Sequence, residues 1–248
     1  MLFVHPEFEA EPLEEWFAPV EPFLGPHDVE ALVEDPKSAT SYEIKANWKV
    51  IVENYIDVYH LSHLHSNTLS MYNHKQAEFG FYGPHFAFQE PLSANYLEKI
   101  ETSAPLPLIL PKEKLGAWVS MLFPGLGLAE SECTWSIFHI TPLAPDLTRV
   151  ETRTRVKNAS SWEMLKQMWN SSGFWSRYRG KYKPEQSSEP DDPMTSGDFM
   201  AEDIYVCEQL QKAFQSPYFE IGPTAESGER PVREHQEVVL SYLETTQD

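Results

Sequence analysis

The sequence predicts an α+β fold: an antiparallel sheet with a long helix near the C-terminus packed on it. Three observations carry that prediction. Alternating apolar runs crowd the middle of the chain, and helical periodicities crowd its end. Strands and helices rarely alternate as a parallel βαβ sheet requires.

The elements follow in order. Residues 5–40 place Pro6, Pro12, Pro19, Pro22, Pro26 and Pro36 among many acidic residues, which reads as an extended arm with one short helix. Residues 41–46, SYEIKA, alternate as a strand does. Asn47 can cap a helix start, and Trp48, Ile51, Val52, Tyr55 and Tyr59 fall three and four apart, predicting a helix over 47–60. Alternating runs at 85–92, 117–123, 132–141 and 147–156 are separated by Pro and Gly clusters, the last two flanking PLAPD as a hairpin. Helical patterns close the chain near 159–170, 197–215 and 230–245, with a polar loop over 183–195.

A chain of 248 residues, 41% hydrophobic and 13% aromatic, can bury a sizeable core in one large domain or one domain with an appendage. Its 38 acidic residues outnumber 19 basic ones for a net charge of −19, which argues against nucleic acid and anionic membranes as partners. Cys133 and Cys207 form no CxxC pair, so a reducing, cytoplasmic compartment is expected. No long apolar run and no basic leader predict neither a membrane span nor a signal peptide.

The chemistry concentrates in NWKVIVENYIDVYHLSHLH, residues 47–65, where Asp57, His60, His63 and His65 fall within nine residues. Two imidazoles and one carboxylate on one face bind Fe(II) and leave positions open for O2 and substrate. His60 and His65 are the candidate pair. Their spacing of five requires the helix to end, loosen or bulge between them. His63 is the rival ligand, because it shares a helical face with His60. Asp57, one turn before His60, can accept the imidazole N–H that faces away from a metal. Asn54, on the same flank, could sit beside the metal as a weak donor or bond to backbone.

The distant carboxylate is Asp203, in GDFMAEDIYVCEQLQKAF (197–214), which shares a helical face with Val206, Cys207 and Leu210. A carboxylate on a core-facing stripe is costly unless paired or ligating. Glu202 and Glu208 fall on more polar faces. The competing reading is plain: a histidine beside an apolar helix is commonly a satisfied structural one. His74, His85 and His139 read as surface or pocket-lining, and His5, His27 and His235 as solvent-facing. Alternation nominates Phe86, Phe88, Met121, Phe123, Trp135 and Phe138 as pocket lining.

These residues resemble the iron-binding signature of the large (α) subunits of Rieske-type ring-hydroxylating oxygenases. The shared pattern is an Asn-Trp-Lys start, a Glu-Asn pair, then acid-x-Tyr-His-x4-His. Glu202-Asp203 followed by Glu208 resembles the family's acid–acid pair with a later Glu, and HSNTLSMYNHK and PGLGLAES are also similar. The resemblance implies a helix-grip fold, an antiparallel sheet curved around a deep pocket with a long C-terminal helix. It implies His60, His65 and Asp203 as ligands of a mononuclear Fe(II), Asp57 as the bridge carrying electrons toward His60, and Asn54 near the iron.

A Rieske [2Fe–2S] centre needs two Cys and two His, which the family this chain resembles places as C-x-H and, further on, C-x2-H, and neither string occurs. The expected division is therefore 1–40, an arm that follows a Rieske domain in full-length members, and 41–248, the mononuclear-iron catalytic domain. The cluster would not be bound by this chain. The implied partners are a small-molecule substrate and O2, a Rieske or ferredoxin electron donor with an NAD(P)H-dependent reductase, and a homotrimer or β subunit. The implied reaction is mono- or dioxygenation of an aromatic or small organic substrate. Two alternatives stay open: a quaternary-amine monooxygenase or demethylase of the same family, and a metal-free helix-grip binding module.

Overall fold

Alternation decides which face of each strand meets the core. Strands β1 (Leu32–Glu34), β2 (Thr40–Ile44), β3 (Glu78–Tyr82), β4 (His85–Pro91), β5 (Gly116–Leu122), β6 (Leu126–Glu130), β7 (Thr134–Ala144) and β8 (Leu147–Lys157) form one antiparallel sheet. Its order is β1-β8-β7-β6-β5-β4-β3, with β1 and β2 both paired to β8. This computed structural model describes residues 3, 10–35, 38–66, 68–104, 106–158, 160–162, 192–195 and 197–245.

In register, Phe86 opposes Met121 and Phe88 opposes Val119. These side chains, with Ile44, Ile140, Val150 and Phe138, pack on one face against helix α2 (Trp48–Ile56). Residues one step out of phase, Ala87, Leu122, Leu128 and Trp135, pack on the other face under Trp16, Phe17, Val20, Leu24 and Val29 of the proline-rich arm. Four of the six nominated pocket residues thus lie on the α2 face. The other two do not: Trp135 donates its indole N–H to Glu130 Oε1 (2.8 Å) on the arm side, and Phe123 stacks on Tyr242 (4.7 Å).

The arm holds the expected short helix, α1 (Leu13–Phe17), and is clipped down by buried polar groups. His85 Nε2 donates to the Trp16 carbonyl (2.9 Å) while its Nδ1 accepts the Phe123 N–H (3.1 Å). His27 is buried rather than solvent-facing, its Nδ1 3.0 Å from Glu130 Oε2, because the arm folds back over β6. A Cβ at Gly25 would collide with the Glu130 carboxylate and the His27 ring, so a larger residue there would have to displace that buried pair.

The sequence reading of β4, β5, β7 and β8 agrees with the structure to within three residues at each end. It misses β3, β6 and helix α4 (Ala94–Ser103), whose apolar side packs with Leu92, Leu110 and Leu115. Of the pattern near 159–170 only residues 160–162 are described, and of the polar loop only 192–195. Helix α5 (Phe199–Phe214) leans on the start of α2, where Gln211 Oε1 accepts the Asn47 N–H (2.8 Å) and Glu208 Oε1 the Lys45 N–H (3.1 Å). Helix α6 (Arg230–Thr245) lies by α2 and β3, its Gln236 amide donating to Glu53 Oε1 (3.0 Å).

Glu132, after β6, is buried, and its Oε1 finds no hydrogen-bond partner among the described residues. Burial pushes its carboxyl up to about 7. The folded protein therefore holds this proton more tightly than the unfolded chain, and the benefit, complete below pH 4.5, is lost as pH rises through 7. Glu132→Gln is expected to match the wild-type stability at pH 4 and exceed it by about 2 kcal/mol at pH 8, as read from urea midpoints.

Candidate metal centre

Asn47 caps α2 as its sequence position suggests, its side chain accepting from Lys49 N (3.0 Å). The helix ends at Ile56, not at residue 60. Asp57 stops it: its ψ of 111° leaves the helical region, and its carboxylate accepts the N–H of Tyr59 (2.9 Å) and of His60 (3.2 Å). Such a local turn competes directly with the next helical hydrogen bonds. A four-residue helix, α3 (Leu61–Leu64), then separates His60 from His65. The break reconciles a spacing of five with one shared locus.

Asp203 closes that locus from α5. Its Oδ1 lies 2.9 Å from His65 Nε2 and 3.7 Å from His60 Nε2, and it accepts from Asn54 Nδ2 at 3.0 Å. The two histidine rings meet edge to face at 5.0 Å. One potential ligand atom from each of His60, His65 and Asp203 lies within 4.8 Å of the others, and this is the one such group among the described residues. Two imidazole nitrogens and a carboxylate oxygen are a donor set suited to Fe(II), so the residues present fit the ion. His63 turns away: its Nδ1 bonds the Tyr59 carbonyl (3.0 Å), and its ring stacks on Tyr59 at the surface.

Asp57 stands behind His60, with Oδ2 3.5 Å from Nδ1. The stripe on α5 is not as its periodicity suggests. Cys207 is buried, but Leu210 is 39% exposed, and the most buried acid is Glu202, not Asp203. The cause is that α5 docks by its first turn, which puts Glu202 against His65 and Thr68. Glu202 Oε2 lies 2.7 Å from His65 Nδ1 and accepts the Thr68 hydroxyl at 2.8 Å. Burial pulls the His65 imidazole down, and the hydrogen bonds and charges of Asp203 and Glu202 outweigh it, leaving His65 above its ordinary value. A polar partner for His65 adjacent to the candidate acid is the signal that was present in the Glu-Asp pair.

Tyr55 packs from α2 against Phe138 (5.6 Å) and over Gly127, where a Cβ would fall 2.8 Å from its ring. A separate cavity of about 1000 Å³ lies between the arm and the β5–β6 turn, lined by Trp16, Phe123, Leu126, His139, Arg153 and Tyr242 among others. None of Asn54, Asp57, His60, His65 and Asp203 lines it.

Fold and site together define a helix-grip α+β domain with a His-His-carboxylate group between the segment that follows α2 and the start of α5. The chain belongs to the family described as ring hydroxylating alpha subunit (catalytic domain), which matches residues 34–245. It is similar in fold to a quaternary ammonium Rieske monooxygenase described for carnitine oxidation by gut microbiota, at TM-score 0.66 and 15% identity, over 95% of this chain and 58% of that one. The inhibitor complex of the quaternary ammonium Rieske monooxygenase CntA gives TM-score 0.62 at 14% identity, covering 95% and 57%. Naphthalene 1,2-dioxygenase from Rhodococcus sp. gives 0.61 at 14%, covering 98% and 64%. The chain thus spans less than two-thirds of each of these proteins. No curated protein matches it in sequence. Among the described residues no helix is long and apolar enough to cross a membrane.

Proposed function

We propose that this chain is the oxygen-activating part of a Rieske-type non-haem iron oxygenase, with His60, His65 and Asp203 holding one Fe(II). The observation that supports it is the convergence of their ligand atoms within 4.8 Å from two distant segments. Bound there, Fe(II) supplies the capacity to activate O2 for hydroxylating an aromatic or small organic substrate. The protein's own residues do the rest. Asn54 holds the Asp203 carboxylate through its amide N–H. Asp57, 17% exposed and beside His60, is the bridge by which electrons reach the imidazole from a Rieske [2Fe–2S] centre outside this chain. That centre draws on NAD(P)H through a reductase, in the cytoplasm. Residues 41–248 act as the catalytic unit, and 1–40 as the arm connecting to the electron-donating side. A homotrimer or a β subunit would bring a donor against Asp57.

The test is metal stoichiometry. The chain is loaded with Fe(II) without oxygen, desalted and assayed for iron. About one iron per chain is expected, and close to none in His60→Ala and Asp203→Ala. A folded wild-type chain that retains no iron overturns the proposal and leaves the metal-free binding module.

A further inference from the structure

His60 and His65 bring the same chemistry to the site but are gripped differently. The His60 Nδ1 is buried with no hydrogen-bond partner among the described residues, and the nearby Asp57 carboxylate is already engaged by two backbone N–H groups. His65 is 1% exposed and clasped on both sides of its ring by consecutive residues of α5, Glu202 at Nδ1 and Asp203 at Nε2. Glu202 is 3% exposed, and Thr68 donates to the same oxygen that meets the imidazole. An ionised carboxylate only accepts hydrogen bonds, so Nδ1 carries its proton toward Glu202 both when Nε2 donates to Asp203 and when Nε2 turns to a metal.

We propose that Glu202, steadied by Thr68, is the positioning residue of this site. Its carboxylate fixes both the ring orientation and the Nδ1–H tautomer of His65, so that Nε2 is the atom offered to a metal. The inference rests on the metal-centre reading above and adds an unequal division of labour. His65 is the preset ligand, and His60, whose Nδ1 stands 3.5 Å from an Asp57 carboxylate already turned to two backbone N–H groups, is the adjustable one. The order of the acid pair is then functional. Swapping Glu202 and Asp203 would put the longer side chain at the metal and the shorter one out of reach of Nδ1.

The experiment uses Zn(II), a diamagnetic probe, titrated against a competing chelator, together with the proton NMR signal of the His65 Nδ1–H and thermal unfolding as a check on folding. Glu202→Leu is expected to weaken Zn(II) binding about 10- to 100-fold and to abolish the hydrogen-bonded Nδ1–H signal. Glu202→Gln, whose amide oxygen still accepts, should keep the signal and recover most of the affinity. Thr68→Val, which retains shape and leaves Glu202 in place, carries the test should Glu202→Leu fail to fold. It should shift the same signal and weaken binding several-fold. A purely structural Glu202 would move the unfolding midpoint alone. Wild-type affinity in Glu202→Leu, or an unmoved signal and affinity in Thr68→Val, overturns the proposal while the metal centre stands. Absence of Zn(II) and Fe(II) binding in the wild type overturns the metal centre itself, and this inference with it.

Discussion

Replacing His85 by alanine is expected to cost about 4 kcal/mol and to lower the unfolding midpoint by roughly 10 °C. The ring is fully buried and edge-on to Trp16 at 4.2 Å, so truncation opens a cavity in the layer between arm and sheet. It also leaves two buried backbone groups, the Trp16 carbonyl and the Phe123 N–H, without the partners they have now. Both losses act on one seam, and buried backbone groups are rarely left unpaired. Calorimetry gives the midpoint, and limited proteolysis within residues 10–31 shows whether the arm has lifted. A midpoint change under about 3 °C with an unchanged digest would mean that the arm is held elsewhere.

Acidification should act at a second buried histidine, on α6 beside the start of α2. Between pH 6.5 and pH 4 the fold is expected to lose roughly 2 kcal/mol through His235. This residue is 2% exposed, lies near the rings of Trp48 (6.3 Å) and Phe123 (6.4 Å), and has no hydrogen-bond partner for either nitrogen among the described residues. Burial, then the ammonium of Lys49, pushes it from 6.5 down to about 4. Because the folded value lies below the unfolded one, the unfolded chain takes the proton first. The contribution is complete above pH 6.5 and is lost as pH falls toward 4. The full gap corresponds to about 3 kcal/mol, and incomplete burial reduces it. His85, also lowered by burial, adds in the same direction, while Glu132 acts oppositely. Guanidinium midpoints of His235→Leu at pH 7 and 4.5 should differ less than those of the wild type. An equal difference would remove His235 as the source.

The sequence exposed those parts of the molecule whose physics is local. Alternation placed β4, β5, β7 and β8, because one face of each meets a core and the period survives in eleven-residue strands such as Thr134–Ala144. Short strands such as Leu126–Glu130, with Gly127 inside, leave too few residues for a period to show. At the site, the need for a break between His60 and His65 was readable from a spacing of five. Its cause, a helix stopped by the Asp57 carboxylate, needed the folded turn. His235 and His27 read as surface residues because a lone histidine carries no pattern. Their burial is imposed by α6 and by the returning arm. Glu202 was hidden for a related reason: helical periodicity describes one flat core, whereas the first turn of α5 is enclosed on two sides.

The two halves of the candidate centre enter the chain far apart. One lies in residues 54–68, the other in a helix that begins at Phe199, and strands β3 to β8 run between them. A growing chain therefore displays both histidines long before it possesses Asp203, the proposed third ligand. Capture of an ion by all three residues would follow the docking of α5, so an occupied centre would report that α5 is seated. Once seated, the ion would act as a bolt across a seam otherwise held by bonds such as Asn47 to Gln211 and Asn54 to Asp203. Departure of the metal and loosening of α5 would then be two views of one event.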